Sequence, residues 1–532
     1  MQYHRLALFI AWLSTSCATG LLQSAQPAAP APPIPRTQTL PGIDNPAFPY
    51  ALPESVGLDS AVLQGLADEV AHWVASGDLV GAELLIIKDG RTVLHESSGW
   101  SELDPKKPMS REQVISIKSM TKPITATAVL MLAEEGKLAL TDPVKKHIPE
   151  FVGSDEVTIH HLLAQTSGDG GGHGGGGYNV YDFDTLEDWV VDWASQPLKG
   201  PPLGQFAYSN FNYAALGLII ERVSGLPCET FIQMRILDPL GMTESWTSFT
   251  PDAEWAGRVP GRFRQDPVNG GFERYWANTD EQKWKLFPAG FGIYCTTEDY
   301  ARFVQSWLGP VDGGRSPLLS RETIDHALKP HGTVRGDPVY GYGWFIELDE
   351  DSGEPVLFRH GGHDGSVAMA FPKSNAMVLF MTHTEAGWHR EALSGQIKML
   401  GLFAHPGPAM VWATNHDVEI VPLTTTEHER LLGSYRSVEG GRGPAFDARV
   451  SDMGGHLRFE LSPVGQSPSW WLDLVSIGEY RFHYGRYESD QLVGVDSQVE
   501  VRFVPQDDGS YSVHVFNRGE LRDRMVPVHV DP

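Results

Sequence analysis

Apolar residues recur at helical spacing in several segments of this chain. After Asp59, which can cap a helix, Val62, Leu66 and Val70 stand four positions apart and would share one helix face. The same criterion predicts further helices over 157–165, 213–223, 300–308 and 391–403. Helices therefore recur along the first three quarters of the chain, with extended segments between them.

Short runs of apolar residues predict strands. Residues 82–88 and 92–97 flank the turn pair Asp89-Gly90, which is typical of a hairpin. A second group of strands is predicted over 356–360, 366–371 and 376–382. We expect the helix over 391–403 to pack on the resulting sheet.

The last hundred residues have a different pattern from the rest. Short alternating segments, separated by turn residues at fairly even intervals, occupy 432–435, 446–450, 457–461, 480–484, 499–503 and 511–516. This spacing predicts a small antiparallel barrel or sandwich. We find no pair of a nucleophile and a base in it, and interpret it as an accessory domain that forms a wall or cover for the rest.

Composition divides the chain into five parts. Residues 1–25 have the features of an export signal: a basic start, an apolar run from Leu6 to Leu13 that is too short to span a bilayer, and then small residues. Residues 26–55 form a linker rich in Pro and Ala, 56–405 the main domain, 406–426 a second linker and 427–532 the all-β domain. We therefore expect a periplasmic or secreted protein. A lipid anchor at Cys17 is the less favoured alternative, because Ser14 stands where a leucine-like residue is usual.

Net charge and cysteine content exclude several classes of protein. The chain has 532 residues and a formal net charge of −26, which disfavours nucleic acid and anionic membranes as partners. The three cysteines, Cys17, Cys228 and Cys295, cannot form a disulfide framework. One bridge between Cys228 and Cys295 is an alternative, and two unpaired thiols are the favoured outcome.

The segment Ser119-Met120-Thr121-Lys122 carries the first candidate chemistry. Pro123 and the apolar run up to Gly136 predict a helix that starts near Ser119. Residues three apart share a helix face, so the Lys122 amine would lie beside the Ser119 hydroxyl. A buried lysine that is pushed towards its neutral form can take the proton of a serine. Alone, this spacing is a weak signal, because two such common residues recur at it by chance.

Two further motifs follow in a fixed order. Tyr208-Ser209-Asn210 precedes the apolar helix over 213–223, and His360-Gly361-Gly362 follows a predicted strand. With Ser119-x-x-Lys122, these motifs make residues 56–405 resemble the serine β-lactamase-related hydrolases: class C β-lactamases, D-alanyl-D-alanine carboxypeptidases and the esterases that share their fold. The resemblance implies an α/β (α+β) fold of the serine β-lactamase/transpeptidase type, with an antiparallel sheet flanked by helices and a helical subdomain, followed by the small barrel-like domain.

The resemblance also implies roles for the site residues. Ser119 would attack an acyl carbon, while Lys122 and Tyr208 would share the work of base and acid. Asn210 would bind Lys122 and the acyl group of the substrate, and His360, if protonated, would help to hold Tyr208 as a phenolate.

Two backbone features complete the implied site. The oxyanion would lie between the backbone N–H groups of Ser119 and His363. Gly361 and Gly362 would let the substrate lie close to the strand. No metal or cofactor is expected, and the expected partner is a small ester or amide.

Each of these residues also has an ordinary structural interpretation. Tyr208 could be a packed aromatic residue at a helix entry, and Asn210 a helix cap. His360 and His363 could bind a metal with Asp364, but the spacing places the two imidazoles on opposite faces. The glycines at 170, 172 and 175 match a dinucleotide fingerprint only formally, because no strand precedes them.

A departure from the related enzymes bears on the substrate. His360-Gly361-Gly362 stands where β-lactamases and peptidases usually carry Lys-Thr-Gly, whose ammonium and hydroxyl help to bind a substrate carboxylate. We therefore expect a carboxylesterase acting on small acyl esters through a Ser119 acyl-enzyme. The alternatives are a D-amino-acid or D-Ala-D-Ala carboxypeptidase, an amidase, a weak β-lactamase, or a penicillin-binding sensor that is acylated without turnover.

Overall fold

The structure is a computed structural model. It describes residues 34–37, 47–169, 180–266, 271–282, 284–309, 316–334, 337–349, 352–385, 393, 397, 420–437, 446–453, 456–463, 470–488, 491–506, 508–517 and 520–527. The predicted export signal, most of both linkers, the glycine loop from residue 170 and almost all of the helix over 391–403 lie outside these ranges.

An antiparallel sheet forms the centre of the main domain. Its strands, in spatial order, are β1 (Arg36–Thr37), β3 (Arg91–Leu103), β2 (Gly81–Lys88), β15 (Ala376–Thr382), β14 (Val367–Phe371), β13 (Pro355–Gly361), β12 (Phe345–Leu348), β11 (Asp337–Tyr340) and β10 (Gly332–Val334), and β4 (Lys106–Pro108) pairs with β3. The hairpin predicted around Asp89-Gly90 is confirmed as β2 and β3. Asp89 and Gly90 both have positive φ there, at 52° and 67°.

Two small sheets accompany the central one. β5 (Ile115–Ser116), β9 (Tyr294–Cys295) and β6 (Ser245–Trp246) form the first, and β16 (Thr384–Glu385), β7 (Arg262–Gln265) and β8 (Phe272–Trp276) form the second. β7 and β8 were not predicted from the sequence, because charged and aromatic residues in this region obscure the alternation of apolar and polar positions.

Helices cover both faces of the central sheet. They are α1 (Ser60–Ala75), α2 (Thr121–Glu134), α3 (Val144–His147), α4 (Ile159–Leu163), α5 (Leu186–Ala194), α6 (Asn210–Ser224), α7 (Cys228–Ile232), α8 (Thr297–Leu308) and α9 (Arg321–Ala327). Asp59 caps α1, as predicted, by accepting from the backbone N–H of Ala61 at 2.8 Å. Gly225 ends α6 in the left-handed conformation.

The pleat of β2 shows why this sheet is buried on both sides. Leu84 and Ile86 belong to a core cluster that includes α1, whereas Leu85 and Ile87 belong to a second cluster that includes α2 and α6. An antiparallel strand covered on both faces is continuously apolar, and this is the pattern that predicted it. The second cluster holds the helices that position the site.

The C-terminal region forms a closed antiparallel barrel, which confirms the all-β prediction. Its strands are β17 (Gly433–Ser437), β18 (Phe446–Asp452), β19 (Leu457–Pro463), β20 (Trp470–Ser476), β21 (Arg481–Glu488), β22 (Gln491–Pro505), β23 (Tyr511–Asn517) and β24 (Glu520–Pro527), with α10 (Thr425–Leu431) before them. β20 and β24 were not predicted. Pairing of β17 with β24 closes the barrel, and closure removes the exposed strand edges.

Cys228 and Cys295 are both buried free thiols in this structure, so the alternative of a bridge between them is wrong. Burial raises the pKa of each thiol well above its usual value. Neither cysteine is therefore a candidate nucleophile.

Among the helices of the described residues, none is long and apolar enough to cross a membrane.

Candidate active site

The helix that carries Lys122 begins later than the sequence suggested. Residues Lys118–Met120 form a 3₁₀ turn and α2 starts at Thr121, so Ser119 lies in the turn and not in the helix. Lys118 adopts a left-handed conformation with φ of 50°, which is uncommon outside glycine. The tighter turn still brings the Ser119 Oγ to 3.1 Å from the Lys122 Nζ.

Backbone and phenol hydrogen bonds fix this turn. The backbone N–H of Ile117 donates to the carbonyl of Ile293 at 3.1 Å, next to β9. The hydroxyl of Tyr300 donates to the carbonyl of Met120 at 2.8 Å. Residues in α8 and next to β9 therefore hold the turn that bears Ser119, although they lie more than 170 positions after it in the chain.

Lys122 is buried and surrounded by oxygen atoms. Its Nζ lies 3.1 Å from the Ser119 Oγ, 2.7 Å from the Asn210 Oδ1 and 3.1 Å from the carbonyl oxygen of Gly290. Burial lowers the pKa of Lys122 well below its usual value, because the lost hydration disfavours the charged form. Burial thus shifts the equilibrium of this side chain towards the neutral amine.

The three oxygen contacts would also satisfy an ammonium, but burial favours the neutral amine, and that form satisfies all three contacts as well. Such an amine has two N–H donors and one lone pair, whereas an ammonium has three donors and no lone pair. The amide oxygen of Asn210 and the carbonyl of Gly290 can only accept, so they take both donors. The lone pair is left for the Ser119 hydroxyl, which can donate. The arrangement can therefore take a proton from Ser119 when its oxygen attacks.

Asn210 and Tyr208 reach Lys122 from the start of α6. Ser209, not Asn210, caps this helix, because its hydroxyl accepts from the backbone N–H of Phe211 at 3.1 Å. The interpretation of Asn210 as the cap is therefore wrong, and its side chain is directed to Lys122. The Tyr208 ring lies close to the same amine, with 4.7 Å between its centroid and the Nζ, and it stacks on Phe345.

The end of β13 forms the opposite wall. His360 is buried, its Nδ1 lies 3.0 Å from the carbonyl of Gly361 and its ring centroid lies 6.1 Å from that of Tyr208. A Cβ at Gly362 would lie only 2.9 Å from the carbonyl oxygen of Ile117, so glycine allows β13 to approach the turn that bears Ser119. The His363 side chain is 74% exposed and its Nε2 lies 3.5 Å from the Glu385 Oε1.

A cavity of about 620 Å³ opens above Ser119. The sequence-predicted residues Ser119, Tyr208, Asn210, His360, Gly361, Gly362 and His363 all line it, and Lys122 lies beneath it. The other lining residues are Lys118, Tyr181, Trp284, Phe291, Phe345 and Arg359. All of these lining residues lie between positions 118 and 363, so no described residue of the C-terminal barrel lines the cavity.

Several residues of the site were missed in the sequence. Gly290 was not predicted, yet its carbonyl holds Lys122, and a Cβ there would lie 3.4 Å from the Nζ. A main-chain acceptor leaves no signal in side-chain chemistry. The aromatic residues Trp284, Phe291 and Phe345 that line the cavity belong to no motif, although three tryptophans and four arginines between residues 255 and 284 are a signal in the sequence.

The described residues contain no group of three or more His, Cys, Asp or Glu side chains arranged to hold a metal ion. His360 and His363 do not converge with Asp364, whose Oδ1 accepts from the Tyr275 hydroxyl at 3.1 Å. The geometry gives no support to the alternative of a zinc site.

Comparison with known proteins agrees with this geometry. The family described as Beta-lactamase matches residues 66–399. "Protein flp" of Staphylococcus aureus (strain N315) is 29% identical over 326 residues, 59% of this chain and 61% of that protein. "Uncharacterized protein MT1414" of Mycobacterium tuberculosis is 30% identical over 361 residues, 60% of this chain and 89% of that protein. The chain thus spans about three fifths of the staphylococcal relative.

Solved structures with the same fold include hydrolases and penicillin-binding protein homologues. EstCE1, described as a hydrolase with promiscuous acyltransferase activity, has a TM-score of 0.53 at 21% identity, covering 64% of this chain and 99% of its own. The octameric penicillin-binding protein homologue from Pyrococcus abyssi has a TM-score of 0.56 at 23% identity, covering 87% and 99%. Simvastatin synthase (LovD) from Aspergillus terreus has a TM-score of 0.52 at 18% identity, covering 65% and 98%.

Proposed function

Because this chain belongs to the Beta-lactamase family of serine hydrolases, we propose that it is a carboxylesterase that cleaves small acyl esters through an acyl-enzyme on Ser119. The observation that carries the proposal is the environment of Lys122. Its Nζ lies within 3.1 Å of the Ser119 Oγ and of two oxygen atoms that can only accept, so a neutral Lys122 amine would direct its lone pair to the nucleophile.

The first half of the reaction forms the acyl-enzyme. The Ser119 Oγ attacks the ester carbon as its proton passes to Lys122, which gives a tetrahedral intermediate and an ammonium. The ester C–O bond then breaks, and the leaving alkoxide takes a proton from the Lys122 and Tyr208 pair. Removing a general base of this kind typically lowers the rate by about 10² to 10⁴.

The second half returns the free enzyme. Water attacks the acyl carbon as one of its protons passes to the same pair. The bond to the Ser119 Oγ then breaks, the carboxylic acid leaves, and the Oγ takes that proton from the pair. In both halves the oxyanion lies between the backbone N–H groups of Ser119 and His363. Preorganised donors of this kind stabilise the charge that develops in the transition state.

The shape and chemistry of the cavity favour esters over peptides. Aromatic side chains make up much of its wall, beside the cations Lys118 and Arg359. His360-Gly361-Gly362 lacks the ammonium and hydroxyl that bind a carboxylate beside this strand. The likeness in fold to EstCE1, described as a hydrolase with promiscuous acyltransferase activity, supports the ester proposal. The penicillin-binding protein homologues keep a D-Ala-D-Ala carboxypeptidase, an amidase, a weak β-lactamase or a slowly released penicillin sensor as the second candidates.

A parallel assay separates these candidates. We expect p-nitrophenyl butyrate to be turned over steadily, with much lower rates on a D-Ala-D-Ala peptide and on nitrocefin. Ser119→Ala should retain less than a few per cent of the esterase rate. A single burst without turnover would indicate the sensor, and faster cleavage of the peptide than of the ester would indicate the peptidase.

Ser116→Ala is the matched control. Ser116 lies three residues before the nucleophile, and its buried Oγ has no hydrogen-bond partner in the described part of the chain. Its replacement should leave both the fold and the esterase rate unchanged. Retention of activity by Ser119→Ala would overturn the assignment of the nucleophile.

The proposal includes export of the protein to the periplasm or the medium. The basic and apolar residues of 1–25 indicate export, and a small ester is a substrate that an exported hydrolase can meet. Detection of the protein in a periplasmic or culture fraction would test this point.

A further inference from the structure

A second cavity adjoins the one above Ser119. Its volume is about 210 Å³, and it shares Lys118, Tyr181, Trp284 and His363 with the walls of the first cavity. Its other lining residues are Arg262, Tyr275, Trp276, Gln282, Tyr294 and Glu385. We call this cavity the side pocket. The two cavities therefore adjoin at these four shared residues, and a substrate held at Ser119 would reach the side pocket past them.

Arg262 gives the side pocket a buried positive charge. The residue is only 6% exposed, and its guanidinium lies over the Trp276 ring at 4.3 Å from the centroid. Its Nη2 donates to the hydroxyl of Tyr294 at 2.9 Å. Among the described residues, no carboxylate oxygen comes within 4.0 Å of this guanidinium. A guanidinium has five N–H donors, so most of its hydrogen-bonding capacity is unused.

Lys118 adds a second cation to the same pocket. Burial, the largest cause, and the positive charge of Arg262 together lower the pKa of Lys118 to about 8, against the opposing effects of Asp364 and Glu385. Two cations and one carboxylate, that of Glu385, therefore line one small cavity, and the two cations repel each other. A bound anion would relieve this repulsion.

The acidic residues of this region have their own partners. The Asp364 Oδ1 accepts from the Tyr275 hydroxyl at 3.1 Å, and its Oδ2 lies 3.7 Å from the Lys118 Nζ. The Glu385 Oε1 lies 3.5 Å from the Nε2 of His363. Buried charges in proteins are normally paired. Within the described residues Arg262 makes no ion pair at 4.0 Å or less, although the Asp364 carboxylate acts on it from a longer distance and raises its pKa.

We propose that the side pocket binds a carboxylate carried by the substrate, through Arg262 with Lys118 beside it. This inference rests on the proposed esterase function and narrows its substrates to esters with a free carboxylate in the acyl or the leaving group. The pocket does not restore the missing Lys-Thr-Gly function. That function belongs to the β13 edge, whereas Arg262 lies on β7.

Two pairs of esters test the preference. Mono-p-nitrophenyl glutarate is compared with p-nitrophenyl pentanoate for an acyl carboxylate, and 4-acetoxybenzoate with phenyl acetate for a carboxylate on the leaving group. We expect kcat/KM to favour the carboxylate in one pair by about ten- to a hundredfold, the range expected of a charge-assisted hydrogen bond in a buried site. Equal or lower values for the carboxylate in both pairs would overturn the inference.

Substitutions assign the preference to Arg262. Arg262→Met should abolish the preference with little change for the neutral esters, and Arg262→Lys should retain part of it. Arg264→Met is the matched control, because Arg264 lies on the same strand, is half exposed and pairs with Glu273. If Arg262→Met still prefers the carboxylate-bearing esters, Arg262 is not the residue that binds the carboxylate. Loss of this preference in Arg264→Met would also contradict the assignment to Arg262. The wild-type comparison of esters remains informative if Arg262→Met does not fold.

A binding measurement separates this inference from the proposed function. Calorimetry on Ser119→Ala with 4-acetoxybenzoate and mono-p-nitrophenyl glutarate reports pocket occupancy without turnover. Tighter binding than that of the neutral esters, lost on adding Arg262→Met, supports the pocket even if wild-type turnover is absent. Turnover of neutral esters without any carboxylate-dependent binding would retain the esterase and reject the pocket.

Discussion

The Nζ of Lys122 and the Oδ1 of Asn210 lie 2.7 Å apart, although 88 residues separate them in the chain. Lys122 is in the first turn of α2 and Asn210 is the first residue of α6. An amide oxygen holds one N–H of the amine without adding a negative charge. The contact therefore positions the Lys122 amine without raising its pKa. The lone pair of the neutral amine stays available to Ser119.

Asn210→Asp should convert this contact into an ion pair that holds Lys122 protonated. A carboxylate at this position raises the pKa of the amine, so the base is lost at neutral pH and recovered at higher pH. We expect kcat/KM for p-nitrophenyl butyrate at neutral pH to fall by about a hundredfold, within the range of a lost general base. The pH–rate profile measures it, as a shift of the acidic limb to higher pH.

Asn210→Ala is the control for this prediction. It removes the hydrogen bond without adding charge, so activity should fall while the acidic limb stays at its original pH or moves to lower pH. An Asn210→Asp profile that superimposes on that of the wild type would show that Lys122 is not the group whose deprotonation limits the rate.

The sequence predicted those parts of the site that lie next to strong local signals. Ser119 and Lys122 precede an apolar helix marked by Pro123, and Asn210 stands at the entry of another. Their contacts could be expected because each motif is short and side-chain based. The 3₁₀ turn at Ser119 was not predicted, since it depends on hydrogen bonds from Ile117 and Tyr300 to distant or main-chain groups.

Features that depend on long-range pairing were harder to predict. β7 carries Arg262 into a buried pocket, yet Arg262-Phe263-Arg264 looks like a polar surface segment in the sequence. Its burial follows from Trp276 and Tyr294, which cover the guanidinium, and both lie more than ten positions away. Likewise, β24 closes the barrel by pairing with β17, a contact across almost the whole domain.

Replacement of His363 should distinguish a backbone role from a side-chain role. The side chain is 74% exposed, so His363→Ala should keep kcat on p-nitrophenyl butyrate within about threefold of the wild type, as surface substitutions usually do. His363→Pro removes the backbone N–H, and loss of one oxyanion donor lowers kcat by about 10² to 10³. Equal losses in the two variants would indicate that the imidazole itself takes part.

Removal of metal ions should leave the esterase rate unchanged. The residues proposed for the reaction supply a nucleophile, a base and backbone donors, so no step needs a Lewis acid. Dialysis against EDTA, followed by assay with p-nitrophenyl butyrate, measures this. A loss of rate that zinc restores would return His363 and Asp364 to consideration as metal ligands.

A cluster of histidines around Tyr342 should make the fold sensitive to acid. His331 stacks on the Tyr342 ring with 4.2 Å between centroids, and the Nδ1 of His160 lies 2.6 Å from the Tyr342 hydroxyl. Burial lowers the pKa of His331 to about 4, and burial also lowers the pKa of His160 and of His161. Tyr342 precedes Gly343, where a Cβ would lie 3.0 Å from Pro123 of α2, so the cluster packs close to the catalytic helix.

The direction of the effect follows from proton binding. Between about pH 6.5 and pH 4 the unfolded chain binds protons at His331 that the folded chain does not, so the free energy of unfolding falls as pH falls through this window. Allowing for partial exposure, His331 alone should contribute about 2 kcal/mol. Urea unfolding of the wild type and of His331→Phe, which keeps the stacked ring, measures the difference. The His331→Phe variant should lose less stability than the wild type between pH 6.5 and pH 4. Replacement of the exposed His72 by Phe should leave the dependence of the free energy of unfolding on pH unchanged. The same pH dependence in all three proteins would contradict the prediction.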